Sequence, residues 1–249
     1  MIVYVLTCDK YDHLLPGFAH QFQKYWRWGK QQHVTAVGFR EPPELPHNFT
    51  FKSIAPVETK PWCEHIHDFI TQHAHQDHFV LLLDDYWMTS PLDPEVFRLL
   101  ELPIFRGKVQ KVDLSLNTKI FGSFPRAGKL LEANQHAKYR TSLQPAIWNR
   151  EYFLQYCRPG WGIWDFETKG MHAAKNDAAS IVQWNQDTRV YEYANIYHKG
   201  TVNRRQVAQL SWDDLLTLRK AGHADFIPEF ASRAEYEALR KCGSTAFKQ

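Results

Sequence analysis

The chain opens with a short apolar, β-branched run at 2–7 that stops at Cys8-Asp9-Lys10, the profile of a buried first strand. Apolar residues then fall at Leu14, Phe18, Phe22, Tyr25 and Trp26, a spacing that predicts a helix over 13–28, ended by Gly29. Residues 33–39 and 48–54 predict two more strands, parted by Glu41-Pro-Pro-Glu-Leu-Pro, which cannot be regular structure. Pro61 suits the first turn of a helix over 62–75. The run Phe79-Val-Leu-Leu-Leu is a fully buried strand leading straight into Asp84-Asp85, and Asp93-Pro94 caps a helix to about Leu100. This alternation predicts an α/β sheet with parallel strands and right-handed crossovers.

The middle third is mixed, with strand-like stretches at 108–116 and 142–148 and a polar, Gly- and Lys-containing stretch at 122–142 that reads as a surface loop. The last fifty residues read as helices, one capped by Ser211 and ending at Gly222, another capped by Ser232 and ending near Gly243. The pattern contains no internal repeat and no obvious linker. It is read as one domain with a small helical C-terminal lobe.

Composition is that of an ordinary globular protein, 44% hydrophobic and 23% charged over 249 residues. Aromatics reach 14%, including nine Trp, a surplus that lines ligand clefts or serves packing. The longest strongly apolar run, 79–83, is too short to cross a bilayer. The N-terminus has no basic region before an apolar stretch and no cleavage-site pattern, so a cytoplasmic location is expected. Cys8, Cys63, Cys157 and Cys242 lie far apart without a Cys-x-x-Cys pair, which favours reduced thiols. Charge is uneven: residues 41–101 carry eleven acids against three Lys or Arg, whereas 102–150 carry nine bases against two acids. Such asymmetry marks either a surface for a polyanion or charges that cancel in three dimensions.

The sharpest chemical feature is the pair Asp84-Asp85. Adjacent carboxylates repel and need solvation or partners, and in open α/β sheets a strand's carboxyl end is where ligands bind. Two hard oxygen donors there suit Mg²⁺ or Mn²⁺ bridging a diphosphate, an ion that stabilises charge on a departing nucleoside diphosphate. The plainer alternative is a cap and turn after the strand. A G-x-G-x-x-G, a G-x-x-x-x-G-K-[ST] and a G-x-S-x-G are all missing, against a dinucleotide enzyme, a P-loop kinase and an elbow hydrolase. Asp165 and Glu167 sit among Trp161, Trp164 and Phe166, surroundings that raise an acid's pKa toward a general-base range, unless they only start a helix. Five His at positions 65 to 78 include no i, i+4 pair and read as surface residues. Asp113, the lone acid of its basic stretch, either contacts an acceptor or pairs with Lys111.

The segment Leu-Asp84-Asp85-Tyr-Trp, then Thr-Ser-Pro-Leu-Asp, resembles the metal-binding segment of GT-A-fold glycosyltransferases. The block Ser142-Leu-Gln-Pro-Ala-Ile-Trp-Asn-Arg, followed by Trp164-Asp-Phe-Glu167, is similar to the acceptor-side segment of small bacterial and phage-encoded members. The opening Leu-Thr-Cys-Asp-Lys-Tyr and the pair Phe22, Trp26 look like the same group, and the likeness covers about residues 1–200. It departs from the usual Asp-x-Asp in having adjacent acids.

The resemblance implies an α/β, Rossmann-like mixed sheet flanked by helices. Residues 1–205 would form the catalytic domain, with a nucleotide-sugar half at 1–101 and an acceptor half at 102–205, and 206–249 a helical extension. It implies donor contacts from Thr7, Asp9, Tyr11, Trp62, Asp84 and Lys199, and a metal (Mn²⁺ or Mg²⁺) on Asp85, Asp84 and His198. Arg204 and Arg205 are further phosphate candidates. Glu167, with Asp165 second, would be the base, and Asp113, Gln144, Trp148 and Trp164 would face the acceptor. The leading acceptor is a hydroxymethylated pyrimidine in phage DNA, gripped through segment 102–150. The alternatives are a surface glycan of capsule or lipopolysaccharide synthesis, a nucleotidyltransferase, and a non-catalytic nucleotide-sugar or DNA-binding module.

Overall fold

In a computed structural model, residues 1–26, 32–41, 44–54, 60–115, 121–126, 130–184, 190–198 and 200–245 are described, without the side chains of 121–126 and 243–245. Strand β1 (Ile2–Leu6) and helix α1 (Leu15–Tyr25) lead to β2 (Val34–Gly38) and β3 (Phe49–Ser53). Helix α2 (Trp62–His73) returns the chain to β4 (His78–Leu83), and a two-residue turn gives β5 (Tyr86–Met88). Helix α3 (Pro94–Phe105) follows, capped by Asp93, whose carboxylate accepts from the backbone of Glu95 and Val96. Then come β6 (Lys111–Asp113), β7 (Phe121–Arg126), β8 (Leu130–Ala133) and β9 (Ala146–Asn149). Helices α4 (Arg150–Tyr156) and α5 (Ile163–Ala173), then β10 (Ile181–Trp184), close the main sheet. Strands β11 (Tyr193–Asn195), β12 (Tyr197–His198) and β13 (Thr201–Val202) and helices α6 (Arg204–Val207), α7 (Trp212–Lys220) and α8 (Arg233–Thr245) complete the chain.

The nine-stranded sheet runs β3-β2-β1-β4-β9-β6-β10-β8-β7. Neighbours β3, β2, β1 and β4 are parallel, and β9 is antiparallel to both β4 and β6. The chain therefore winds outward from β1 to β3 and re-enters on the other side of β1, a topological switch between β1 and β4. Side-chain alternation along the strands feeds two cores. Val3, Val5, Val80, Leu82, Val112 and Val182 pack with α1, α3 and the C-terminal helices. Tyr4, Leu6, Phe79, Leu81, Trp148 and Ile181 pack with α2, α4 and α5 on the opposite face. Two-sided cover explains why β4 reads as an unbroken apolar run.

Several readings change. The first turn of the 13–28 helix is a 3₁₀ turn at Asp12–Leu14, ahead of Pro16, and the α-helix ends at Tyr25; Gly29 lies outside the described residues. The stretch 122–142 is in part the hairpin β7–β8 rather than only a loop. His65 and His78 are buried, not surface residues, each against an aromatic edge, Phe39 and Phe105. No helix among the described residues is long and apolar enough to cross a membrane.

Candidate functional site

The carboxyl ends of β1 and β4 lie side by side, Leu6 opposite Leu83. The next residue of each strand meets across the switch point: Thr7 Oγ1 donates to Asp84 Oδ2 at 2.5 Å, and the Asp84 N–H donates to the Leu6 carbonyl at 3.2 Å. Asp84 and Asp85 form the turn into β5. It is fixed from below by the Trp87 indole N–H, which donates to the Asp84 carbonyl at 3.0 Å, and from the side by the Ile196 N–H on the Asp85 carbonyl at 2.8 Å.

Asp84 is buried, and Asp85 Oδ1 is buried without a hydrogen-bond partner. Burial, reinforced by the neighbouring Asp85 charge, holds the Asp84 carboxyl well above the usual range, and burial pushes Asp85 up to about 7. A divalent cation reverses this logic by favouring the ionised forms. A buried, unpartnered carboxylate oxygen beside a second buried carboxylate is a donor set that fits a hard cation.

The rest of this edge gathers the sequence-predicted donor residues unevenly. Tyr11 follows β1, with its ring edge-on to Tyr197 of β12 at 5.5 Å, close enough to Asp84 and Asp85 that both charges raise its pKa behind the leading effect of burial. Asp9 accepts from the Arg40 N–H at 3.1 Å, and Arg40 pairs with Asp12 at 2.7 Å, so Asp9 ties the β1 loop to the end of β2. His198 is exposed on the β12–β13 hairpin. Among the described residues no three His, Cys, Asp or Glu side chains gather into a metal-holding group, so His198 does not close a shell with Asp84 and Asp85. Lys199 lies outside the described residues. Arg204 is spent on Glu235 at 2.9 Å and on the Phe230 ring. Trp62 is half-buried at the start of α2 with its ring against Phe166 of α5 at 5.7 Å.

Helix α5 approaches the same end of the sheet, the Glu167 charge acting on Tyr86 of β5. Glu167 Oε1 accepts from the Leu143 N–H at 2.7 Å. Burial raises its pKa, opposed by that backbone bond and by the Lys111 charge. Asp165 is a helix cap: it accepts from the Gly162 N–H at 3.2 Å and pairs with Lys169 at 2.9 Å, contacts that hold it below the usual range. The two acids read together in the sequence therefore part in role, and only Glu167 has the environment of a base. Trp164, one helical turn before Glu167, is 72% exposed. Gln144 Oε1 accepts from Ser115 Oγ at 3.0 Å just above the ends of β6 and β9.

Two acceptor candidates are corrected. Trp148 is 0% exposed: on β9 it faces the second core, stacked near Tyr152 and edge-on to Phe153, so it cannot touch an acceptor. Asp113 is 1% exposed and lies 2.7 Å from Lys111 Nζ, the ion pair the sequence left open. Lys111 itself was missed as more than a partner. A lysine next to a valine in a short strand reads as solvent-facing, and only pairing with Asp113 two residues on, on the same strand face, hinted otherwise.

The basic block also dissolves into structure. Lys111 and Arg140 are fully buried, and Arg150 pairs with Glu151. Arg106 and Lys108 are exposed but precede the start of β6, near His78 at the start of β4, the sheet edge opposite the acids. Lys138 is exposed, while Lys119, Lys129 and the Arg126 side chain fall outside the described residues. The described bases thus form no row beside the cleft.

No family model and no curated protein matches the chain. Solved structures do. S. aureus TarS 1–349 superposes with a TM-score of 0.50 at 11% identity, covering 98% of this chain and 72% of that one. A longer S. aureus TarS structure gives 0.51 at 11% identity, over 96% of this chain and 41% of that one. A UDP-glucose pyrophosphorylase complexed with UDP-glucose overlaps more loosely, at 0.47 with 10% identity, over 88% and 98% of the two chains. At this identity the likeness is one of fold: the chain has the GT-A-like, Rossmann-type mixed sheet flanked by helices, with a small helical lobe at its C-terminal end.

Proposed function

We propose that the protein is a metal-assisted glycosyltransferase that moves a sugar from a nucleotide-sugar donor to an acceptor hydroxyl. The observation that carries this reading is the Thr7–Asp84–Asp85 cluster at the switch point, with its partnerless buried oxygen. Asp84 and Asp85 would hold Mg²⁺ or Mn²⁺. When bound, that ion would neutralise charge on the departing diphosphate. Thr7 fixes the rotamer of Asp84, and Tyr11 offers a ring beside it for the donor's base or ribose. Glu167, raised by burial and oriented by the Leu143 N–H, takes the proton of the attacking acceptor hydroxyl. A base on the acceptor side favours inversion at the anomeric carbon.

A nucleotidyltransferase would need a Gly-rich, basic loop after β1. Cys8-Asp9-Lys10-Tyr11-Asp12 does not supply it. For the acceptor we favour a glycan hydroxyl over a hydroxymethylated base in duplex DNA, because a duplex needs several phosphate contacts and, of the described bases of segment 102–150, all but Lys138 lie buried, paired or on the opposite edge. The exposed rings of Trp164 and Tyr139 are what a flipped base would use, so DNA forms the second arm of the test.

The test is mass spectrometry after incubation with Mn²⁺ and a panel of UDP- and GDP-sugars, with oligosaccharides in one arm and hydroxymethylcytosine- or hydroxymethyluracil-containing DNA in the other. A chelator-sensitive product one sugar heavier is expected in the first arm. A heavier nucleoside would move the acceptor to DNA. No turnover of any donor, or a sugar nucleotide formed in a parallel incubation with nucleoside triphosphates and a sugar phosphate, would overturn the transferase reading.

A further inference from the structure

Beneath the acceptor side lies a buried cation that the proposed chemistry does not use directly. Lys111 on β6 is 0% exposed. Its ammonium lies 2.7 Å from Asp113 Oδ1, donates to the Ser142 carbonyl at 3.0 Å and to the Arg140 carbonyl at 3.3 Å, and stands 4.6 Å over the Trp148 ring. The ammonium thus donates to two carbonyls while its charge is balanced by Asp113. A buried ion pair of this kind is a poor investment in stability alone, since desolvation offsets most of the attraction.

What Lys111 grips is informative. Arg140 and Ser142 lie three residues and one residue before Leu143, whose N–H meets Glu167. The same turn clasps α5 from the other side, with Thr141 Oγ1 donating to the carbonyls of Phe166 at 3.0 Å and Glu167 at 3.2 Å. Gly170, one turn on, leaves room for Thr141, as an added Cβ would come within 2.9 Å of its hydroxyl. Lys111, the 140–143 turn and Glu167 thus form one connected unit.

We propose that Lys111 is a positioning residue for Glu167: paired with Asp113, it clamps the 140–143 turn that presents the Leu143 N–H to the carboxylate. Its charge also reaches that carboxylate and favours the ionised form. Other groups around Glu167 are already committed. Tyr86 faces it from β5 as a neutral phenol, the Arg140 guanidinium is held by Asp177 at 3.5 Å, and on its own helix Lys169 pairs with Asp165. The inference rests on Glu167 being the base, but its test needs no substrate, so it fails separately from that reading.

The test is a ¹³C NMR titration of the Glu167 side-chain carboxyl, assigned by its disappearance in Glu167→Gln, in the wild type, Lys111→Met and Asp113→Asn. Removing the cation is expected to raise the Glu167 midpoint by at least about half a unit, and freeing the cation from Asp113 to lower it by a similar amount. A merely structural role loosens the core in both variants and lets water in, moving both midpoints down together. Shifts in the same direction, or none, overturn the proposal. Should Lys111→Met fail to fold, Lys111→Gln, neutral but still able to donate to the same carbonyls, takes its place beside Asp113→Asn, and an unchanged or lowered midpoint in Lys111→Gln overturns the proposal.

Discussion

At the scale of single residues, the candidate site rests on carboxylates whose environments push them apart. Asp84 and Asp85 were legible because an unbroken aliphatic run leaves no reason for two acids except solvent or a ligand. Glu167 was legible from its aromatic neighbours, but its separation from Asp165 was not, because that depends on which of the two reaches Gly162 and Lys169 and which reaches Leu143. Burial holds the Glu167 pKa above the ordinary glutamate range. Only the ionised form accepts a proton, so transfer should rise with pH through that raised value, giving a limb displaced upward from the usual carboxylate region. Glu167→Gln is expected to lower the transfer rate by about 10²–10⁴-fold and to abolish the limb. Asp165→Asn should leave the limb in place. A wild-type limb that survives in Glu167→Gln would remove Glu167 from the base role, as read in a pH–rate profile of sugar transfer.

At the scale of elements, local signals with a stated mechanism served well. The Asp93 and Ser211 caps are made as the sequence implied, the latter accepting from the Asp214 N–H at 3.0 Å. Helices α4 and α5 went unread because their short apolar stretches carry no long period, and the β7–β8 hairpin because its composition is that of a loop. A less visible constraint joins α1 to the acidic turn. Gly17 sits inside α1, where glycine ordinarily costs about 1 kcal/mol relative to alanine, yet an added Cβ would land on the Trp87 ring. Trp87 in turn holds the Asp84 carbonyl. Gly17→Ala should therefore destabilise rather than stabilise: overpacking costs about 1–3 kcal/mol and outweighs the propensity gain. Denaturant unfolding checks the sign, and a more stable Gly17→Ala protein would show that α1 and β5 have slack between them.

At the scale of the whole molecule, the fold was legible where patterning decides it. Two-sided burial made the β1–β4 half readable, since β1, β2 and β4 feed both cores and each helix covers one of them. The charge map was not readable in the same way. Nine bases in forty-nine residues suggested a polyanion face, but Lys111 and Arg140 turn inward to carry carbonyls and acids of the second core, and Arg106 and Lys108 fall on the far edge. Linear charge counts say nothing about which side chains the sheet buries. What the fold does concentrate at one edge is acid, a hydroxyl and an aromatic ring at the switch point, with the half-buried Glu167 carboxylate of α5 acting on Tyr86 next to it.

That arrangement is tested most directly by calorimetric titration of UDP and of GDP, with Mn²⁺ and with chelator, on the wild type and on Asp85→Asn and Asp84→Asn. One of the two nucleotides is expected to bind only with the metal, and each substitution to weaken it at least about tenfold, or about 1.4 kcal/mol. Binding that is indifferent to metal and to both substitutions, or no binding of either nucleotide, would contradict a cation-held diphosphate at the end of β4.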